Sequence, residues 1–176
     1  QEGDYVGAVL LGYHSGATQG LGVLAHTLSG AGIREIKLNG QVASETVISA
    51  ATAAHFKVPV IMVSGDDAYI RHAEEVLGPV ESVVTKWVSS DTSARTLRPI
   101  DAQKKVAEGL ALALSKLPIE RPQPLSEDIE IEIDCVKRSA AALLDYLPFL
   151  ERKNSHTIHF IGKDMVVISK FLSFLI

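Results

Sequence analysis

The run Val6–Leu11 is apolar along its whole length and stops abruptly at Gly12. A short run that is apolar on both faces predicts a buried strand of an α/β sheet. The segment 13–27 that follows carries three glycines, which are too many for a stable helix. It therefore predicts a long loop at the end of that strand, and the fold must place the side chains of this loop at a sheet edge.

A hairpin and a capped helix are predicted directly after the loop. Segment 33–38 alternates apolar and polar residues, which is typical of a half-buried strand. Asn39-Gly40 predicts a two-residue type I′ turn, because both positions of that turn need a positive φ. Ser44 is a suitable N-cap, so a helix is expected over 45–56.

Strand-like and helix-like patterns alternate through the rest of the chain. Further strands are predicted over 58–63, 80–87, 129–133 and 157–161, and further helices over 67–77, 99–116, 139–147 and 163–174. Segment 89–93 is predicted to be a polar loop. The helix over 99–116 is expected to carry one apolar face, formed by Ile100, Val106, Leu110, Leu114 and Leu117. This alternation predicts an α/β fold with a mixed sheet flanked by helices.

The proline-rich stretch 118–124 is the linker-like part of the sequence. It predicts a boundary between an α/β domain over 1–117, which contains the histidine loop, and a smaller α+β subdomain over 125–176.

Composition excludes several classes of partner. The chain has 176 residues and is 47% hydrophobic, which is enough to bury a core, and its net charge of -4 comes without a basic stripe. Nucleic acid is therefore not an expected partner. No apolar run reaches the ~20 residues of a membrane span, so no membrane is expected either. Cys135 is the single cysteine, which excludes an intrachain disulfide and fits a cytoplasmic location.

The candidate site residues have competing interpretations. His14 directly follows the first predicted strand, where ligands collect in α/β sheets, but an isolated loop histidine is more often without a ligand. Glu45 in the first turn of a helix is ordinarily a residue that complements the helix dipole. Asn39 is a turn residue first, and Asp66 and Asp67 are alternative N-caps. The residues alone therefore indicate an α/β domain with a His/Glu site at a strand end.

Four segments carry a more specific signal. LLGYHSGA, LAHTL, LNGQVASE and VPVIMVSGDD occur in order within residues 4–67, and together they resemble the M55 family of D-aminopeptidases. The resemblance implies a metallopeptidase with two zinc ions. It implies that His14 and Glu45 are zinc ligands, that His26 is the catalytic histidine, and that Asn39 lies near the substrate.

The chain also departs from the family pattern. The family carries an Asp-x-Glu pair on an N-terminal strand and a further histidine, and these three ligands are absent from this sequence. The remaining ligands are therefore expected outside this chain, in a preceding segment or on a partner subunit.

Three functions follow as hypotheses. The first is a zinc-dependent aminopeptidase that hydrolyses short peptides with an N-terminal D-residue. The second is a fragment or subunit of such an enzyme whose metal site is incomplete, and the third is a small-molecule-binding α/β domain without zinc. The resemblance also implies a homo-oligomer, with the apolar helix Met165–Ile176 as a candidate contact, although core packing is the favoured use of that helix.

Overall fold

The computed structural model describes residues 4–126 and 128–175, which form two sheets with helices packed beside them. The fold is α/β, as the alternation of patterns predicted. In chain order the elements are β1 (Ala8–Tyr13), β2 (Ile33–Leu38), β3 (Gln41–Val42), α1 (Glu45–His55), β4 (Val60–Asp66), α2 (Asp67–Leu77), β5 (Glu81–Ser90), β6 (Ser93–Thr96), α3 (Pro99–Ser115), β7 (Ile129–Cys135), α4 (Arg138–Leu144), β8 (Glu151–Arg152), β9 (Thr157–Gly162) and α5 (Met165–Phe174).

The first sheet has the strand order β1-β4-β5-β6. β4 pairs in parallel with β1 on one side and with β5 on the other, and β6 joins β5 as an antiparallel strand. Helices cover both faces of β4: Val63 packs with Tyr69 of α2, and Met62 packs with Ala113 of α3. A parallel strand covered on both faces has no polar side, which explains the unbroken apolar run VPVIMV.

The prediction that the first strand is buried on both faces is wrong. Leu10 is buried against the cluster around Tyr69, whereas Leu11 is 61% exposed and Val9 is also exposed. These two side chains share the opposite face, because alternate residues of a strand point to opposite sides. Within the described residues, only one face of this strand is therefore buried.

The second sheet has the order β3-β2-β7-β9-β8 and carries the larger core. In β7 the residues Ile129, Ile131 and Ile133 are buried and the acids between them are partly exposed. The strand predicted over 129–133 is thus confirmed, with one face buried, and it lies between β2 and β9 in the sheet. The buried face packs against α1 and α5 through residues such as Ile48 and Ile168.

The second sheet takes strands from both sides of the proline-rich stretch. β2 precedes that stretch and pairs antiparallel with β7, which follows it. The boundary between 1–117 and 125–176 therefore does not coincide with a boundary between sheets. The division into two domains stays a prediction.

The local signals of the sequence are confirmed around the hairpin. Asn39 and Gly40 have φ values of 50° and 76° between β2 and β3, as a type I′ turn requires. Ser44 caps α1, and its Oγ accepts a hydrogen bond from the Val47 N–H at 3.4 Å. Asp66 is the cap of α2.

Other local predictions were wrong or incomplete. Segment 89–93 was expected to be a polar loop, but it contains the last two residues of β5, a two-residue turn and the first residue of β6. In α3, Ile100 and Leu114 are exposed at 66% and 44%, because Gly109 and Ala113 form the buried part of its face. In α5, four residues are buried in the core, as the favoured interpretation expected, and Ile176 lies outside the described residues.

Within residues 4–126 and 128–175, no helix combines the length and the apolar character that crossing a membrane requires.

Gly65 provides a test of the packing between β1 and α2. A Cβ at this position would lie 2.4 Å from Cδ1 of the fully buried Tyr69 and 2.7 Å from the carbonyl oxygen of Tyr13. We expect Gly65→Ala to lower the free energy of unfolding by about 1–3 kcal/mol, since neither neighbour has space to move. Urea unfolding followed by circular dichroism measures the change.

Gly20→Ala is the matched control. No atom lies within 4 Å of a Cβ built at Gly20, so this variant should remain within about 0.5 kcal/mol of the wild type. Equal stabilities of the two variants would contradict the close approach at Gly65.

Candidate metal and catalytic site

The site begins at the shared edge of β1 and β4. The two strands run in parallel, with Tyr13 aligned to Gly65, so their carboxyl ends meet at one edge of the sheet. His14 follows β1 directly, and Asp66 is the last residue of β4. Carboxyl ends of parallel strands are where α/β folds bind ligands, and the glycine-rich segment after His14 forms a loop there, as predicted.

The imidazole of His14 is held by the backbone of that loop. Its Nδ1 lies 2.8 Å from the carbonyl oxygen of Val23, whose side chain is buried. A carbonyl oxygen can only accept a hydrogen bond, so Nδ1 must carry the proton. In the neutral ring Nε2 is then the atom with a free lone pair, which is the form a metal ligand needs.

His26 is held in the same way by the next residue of the loop. Its Nδ1 lies 2.6 Å from the carbonyl oxygen of Leu24, and its backbone N–H donates to the carbonyl oxygen of Ser15 at 3.0 Å. The rings of His14 and His26 are 5.1 Å apart between centroids and inclined by 46°. Both imidazoles therefore have the Nδ1–H tautomer, and the two rings lie next to each other.

Glu45 reaches the imidazole of His26 from the start of α1. Its Oε1 accepts the Leu28 N–H at 2.8 Å and lies 3.5 Å from Nε2 of His26. The side chains of His26 and Glu45 are 30% and 26% exposed, so a ligand has access to both. The carboxylate has a second oxygen, Oε2, as a further donor atom.

Three of the four residues to which the resemblance assigns a role thus lie near one another. His14, His26 and Glu45 converge from a strand end, a loop and a helix start. Asn39 lies in the β2–β3 turn, where its Oδ1 accepts the Glu130 N–H at 2.8 Å from the second sheet. The substrate-binding role of Asn39 stays a prediction.

The donor set fits part of a zinc site. Zinc prefers imidazole nitrogen and carboxylate oxygen, and metal-binding histidines commonly donate their other ring N–H to a carbonyl, as His14 does. Zinc sites in proteins generally have three or four protein ligands. Among the residues that the structure describes, no group of three or more His, Cys, Asp or Glu side chains is placed to hold a metal ion.

Sequence reasoning missed the backbone partners of the site. The carbonyl groups of Val23 and Leu24 and the N–H of Leu28 orient the three side chains. Backbone groups occur at every residue, so the sequence has no signal that marks these. Leu24 and Leu28 both have positive φ values, 53° and 61°, which only coordinates reveal.

Comparisons with known proteins identify the family of the chain. The family model of the M55 peptidases, described as D-aminopeptidase, matches residues 2–174. The chain belongs to the M55 peptidase family. The D-aminopeptidase of Bacillus subtilis strain 168 is 30% identical to this M55 chain over 161 residues, which cover 91% of the chain and 58% of that protein.

A solved structure is also similar to the M55 chain. It is described as the Zn-dependent D-aminopeptidase DppA from Bacillus subtilis, a self-compartmentalizing protease. The TM-score is 0.88 at 27% identity, and the match covers 97% of this chain and 62% of that one. The M55 chain therefore spans less than two thirds of the length of either relative.

A buried histidine supports the helix that carries Glu45. His72 of α2 is buried, and its Nε2 lies 2.8 Å from Oγ of Ser44, the N-cap of α1. Burial lowers the pKa of His72 below its ordinary value of 6.5, and the nearby Glu75 only partly opposes this effect. His72 is therefore a packing residue beside the N-cap of α1.

His72 predicts how stability depends on pH. Below pH 6.5 the unfolded chain binds a proton at His72 that the folded chain resists, so stability is lost as the pH falls toward the lowered folded pKa. We expect His72→Gln, which has no titrating ring, to have a shallower loss of stability between about pH 7 and pH 5. Urea unfolding at several pH values measures the free energy of unfolding as a function of pH for the wild type and for the variant.

The difference between the two proteins near pH 8, where both side chains are neutral, gives the packing cost of the substitution alone. Two curves that stay parallel down to about pH 5 would show that His72 does not contribute to the acid sensitivity.

Proposed function

We propose that this chain forms part of the active site of a zinc-dependent aminopeptidase that removes D-residues from the N-terminus of short peptides. The observation that carries the proposal is the convergence of His14, His26 and Glu45, with both imidazoles held in the Nδ1–H form. Membership of the M55 family and the names of the two relatives support the metal and the substrate class.

His14 and Glu45 are the residues that would hold zinc. Nε2 of His14 is the free ring nitrogen, and Glu45 offers the oxygen atoms of a carboxylate. Two zinc ions per complete site are expected from the resemblance, and the remaining ligands would come from outside the described residues. Bound zinc supplies Lewis acidity, which polarises a peptide carbonyl and makes water more acidic.

His26 is proposed to transfer a proton from the attacking water to the leaving amine nitrogen. The Leu24 carbonyl fixes the proton on Nδ1, so Nε2 is free to take a proton and return it to the leaving amine nitrogen. Oε1 of Glu45 lies 3.5 Å from the same Nε2 atom. Asn39 retains an amide NH₂ group as a donor for substrate, since its oxygen is used by Glu130.

A second candidate is that this chain is not catalytic by itself. The absence of a three-ligand group among the described residues favours it, as does the share of each relative that the chain covers. The full site would then require further ligands from another segment or subunit. The self-compartmentalizing relative supports a homo-oligomer as the functional form, and the cytoplasmic location stays a prediction.

Substitutions at the three side chains test the assignment of roles. We expect His14→Ala and Glu45→Gln to lower both zinc content and hydrolysis of D-alanyl dipeptides, because each removes a donor atom. We expect His26→Gln to retain zinc while turnover falls by roughly 10²–10⁴-fold, as for the loss of a general acid–base group. Inductively coupled plasma mass spectrometry measures the zinc, and release of D-alanine measures the turnover.

Two comparisons make the result decisive. The L-alanyl dipeptide is the substrate control, and a protein that cleaves it equally well would contradict the specificity for D-residues. Zinc content separates the two candidates: a value near two ions per chain supports the enzyme, and a value near zero supports the incomplete site.

A further inference from the structure

We propose that Asp66 is a positioning residue for His14 and acts through Val23, and that the carbonyl groups of Val23 and Leu24 fix the orientation of the two imidazoles. This proposal concerns the same two histidines as the proposed function and rests on it in that respect alone. Its physical basis is a continuous set of hydrogen bonds from the end of β4 to the ring of His14.

Asp66 makes more bonds than a helix cap needs. It is completely buried, and its Oδ1 accepts the Tyr69 N–H at 2.7 Å, which caps α2. Its Oδ2 accepts the N–H of Val23 at 3.2 Å, in a loop 43 residues earlier in the chain. One oxygen would be sufficient for the cap, so the second oxygen has a separate effect on the loop.

Val23 passes this constraint to His14. The N–H of Val23 is held by Asp66, its side chain is buried, and its carbonyl oxygen accepts the Nδ1–H of His14 at 2.8 Å. Fixing the residue at its N–H therefore fixes the direction of its carbonyl group. The tautomer of His14 depends on that direction, because only an aligned acceptor keeps the proton on Nδ1.

Leu24 has the same arrangement toward His26. Its N–H donates to the carbonyl oxygen of Asp91 in the β5–β6 turn at 2.7 Å, and its carbonyl oxygen accepts the Nδ1–H of His26 at 2.6 Å. Its φ of 53° lies in the left-handed region, which is unfavourable for leucine. The side chain is 55% exposed, so burial does not explain the conformation. Orientation of two successive carbonyl groups toward two neighbouring rings does explain it.

The tautomer of His14 is the direct readout of the proposal. Two-bond ¹⁵N–¹H correlation spectra above about pH 8 distinguish the Nδ1–H and Nε2–H forms from each other and from a doubly protonated ring. In the wild type we expect His14 and His26 to show the Nδ1–H form alone. The variants His14→Gln and His26→Gln assign the two signals.

Asp66→Asn is the first test variant. An amide has an NH₂ group in place of one carboxylate oxygen, so either the Tyr69 or the Val23 N–H group would face a donor instead of an acceptor. We expect His14 to lose its single Nδ1–H form and show a mixture of tautomers. Zinc binding, measured by competition with a chromophoric chelator, should weaken by about 10-fold or more, as for other residues that orient metal ligands.

Asp67→Asn is the matched control. It removes the same charge at the adjacent residue, whose carboxylate accepts the Val88 N–H and pairs with Arg71 rather than with the loop. Its His14 spectrum should equal that of the wild type even if its stability falls. Asp66→Ser is the second variant if Asp66→Asn does not fold, because a serine hydroxyl can cap α2 but is too short to reach Val23.

Leu24 is tested by a pair of substitutions at one position. Asparagine tolerates a positive φ, whereas the β-branched valine strongly resists it. We expect Leu24→Val to give mixed tautomers at His26 and Leu24→Asn to keep the wild-type spectrum. Leu21→Val, at an exposed leucine of the same loop, should also leave the spectrum unchanged.

The outcomes separate this proposal from the proposed function. An unchanged His14 tautomer in folded Asp66→Asn or Asp66→Ser overturns the positioning role, whatever the enzymatic activity. A shifted tautomer in a protein that lacks zinc and peptidase activity supports the positioning role while the proposed function fails. A tautomer change of equal size in Asp67→Asn would overturn the role, since it would show a general effect of charge or stability.

Discussion

The parallel pairing of β1 with β4 is the constraint on which the site depends. It brings His14 and Asp66 to the same sheet edge although 52 residues separate them, because parallel strands place their carboxyl ends side by side. Everything around the histidines then follows from hydrogen bonds across that edge. The loop 14–32, which has no regular helix or strand, keeps a defined path because its backbone is bonded to the end of β4 and to the β5–β6 turn.

Short-range chemistry made much of the fold predictable. The Asn39-Gly40 turn, the Ser44 cap and the apolar run of β4 are each specified by a few adjacent residues. Features that depend on what covers a surface were not predictable in this way. Leu11 and Ile100 have side chains as apolar as those of the core, yet both are exposed. The short strands β6 and β8 form only because a neighbouring strand offers them hydrogen bonds.

The sequence indicated which side chains form the candidate site, but it did not indicate the hydrogen-bond partners that orient them. His14 could be placed at a strand end by its position after an apolar run, but spacing alone did not join it to Glu45. The resemblance of four short segments to the M55 family made that connection. Asp66 was interpreted as a helix cap, which is correct for one of its oxygen atoms. Its bond to Val23 spans 43 residues, and local patterns carry no information at that range.

The histidine loop leaves β1 in one sheet and enters β2 in the other. His14, the proposed nitrogen ligand, is thus anchored to the first sheet, and Glu45, the proposed carboxylate ligand, follows the β2–β3 hairpin of the second. A rotation of one sheet against the other would change the distance between these two side chains. Small motions within either sheet would leave that distance unchanged. The affinity of such a pair of side chains for a metal ion should therefore depend on how rigidly the two sheets are held relative to each other.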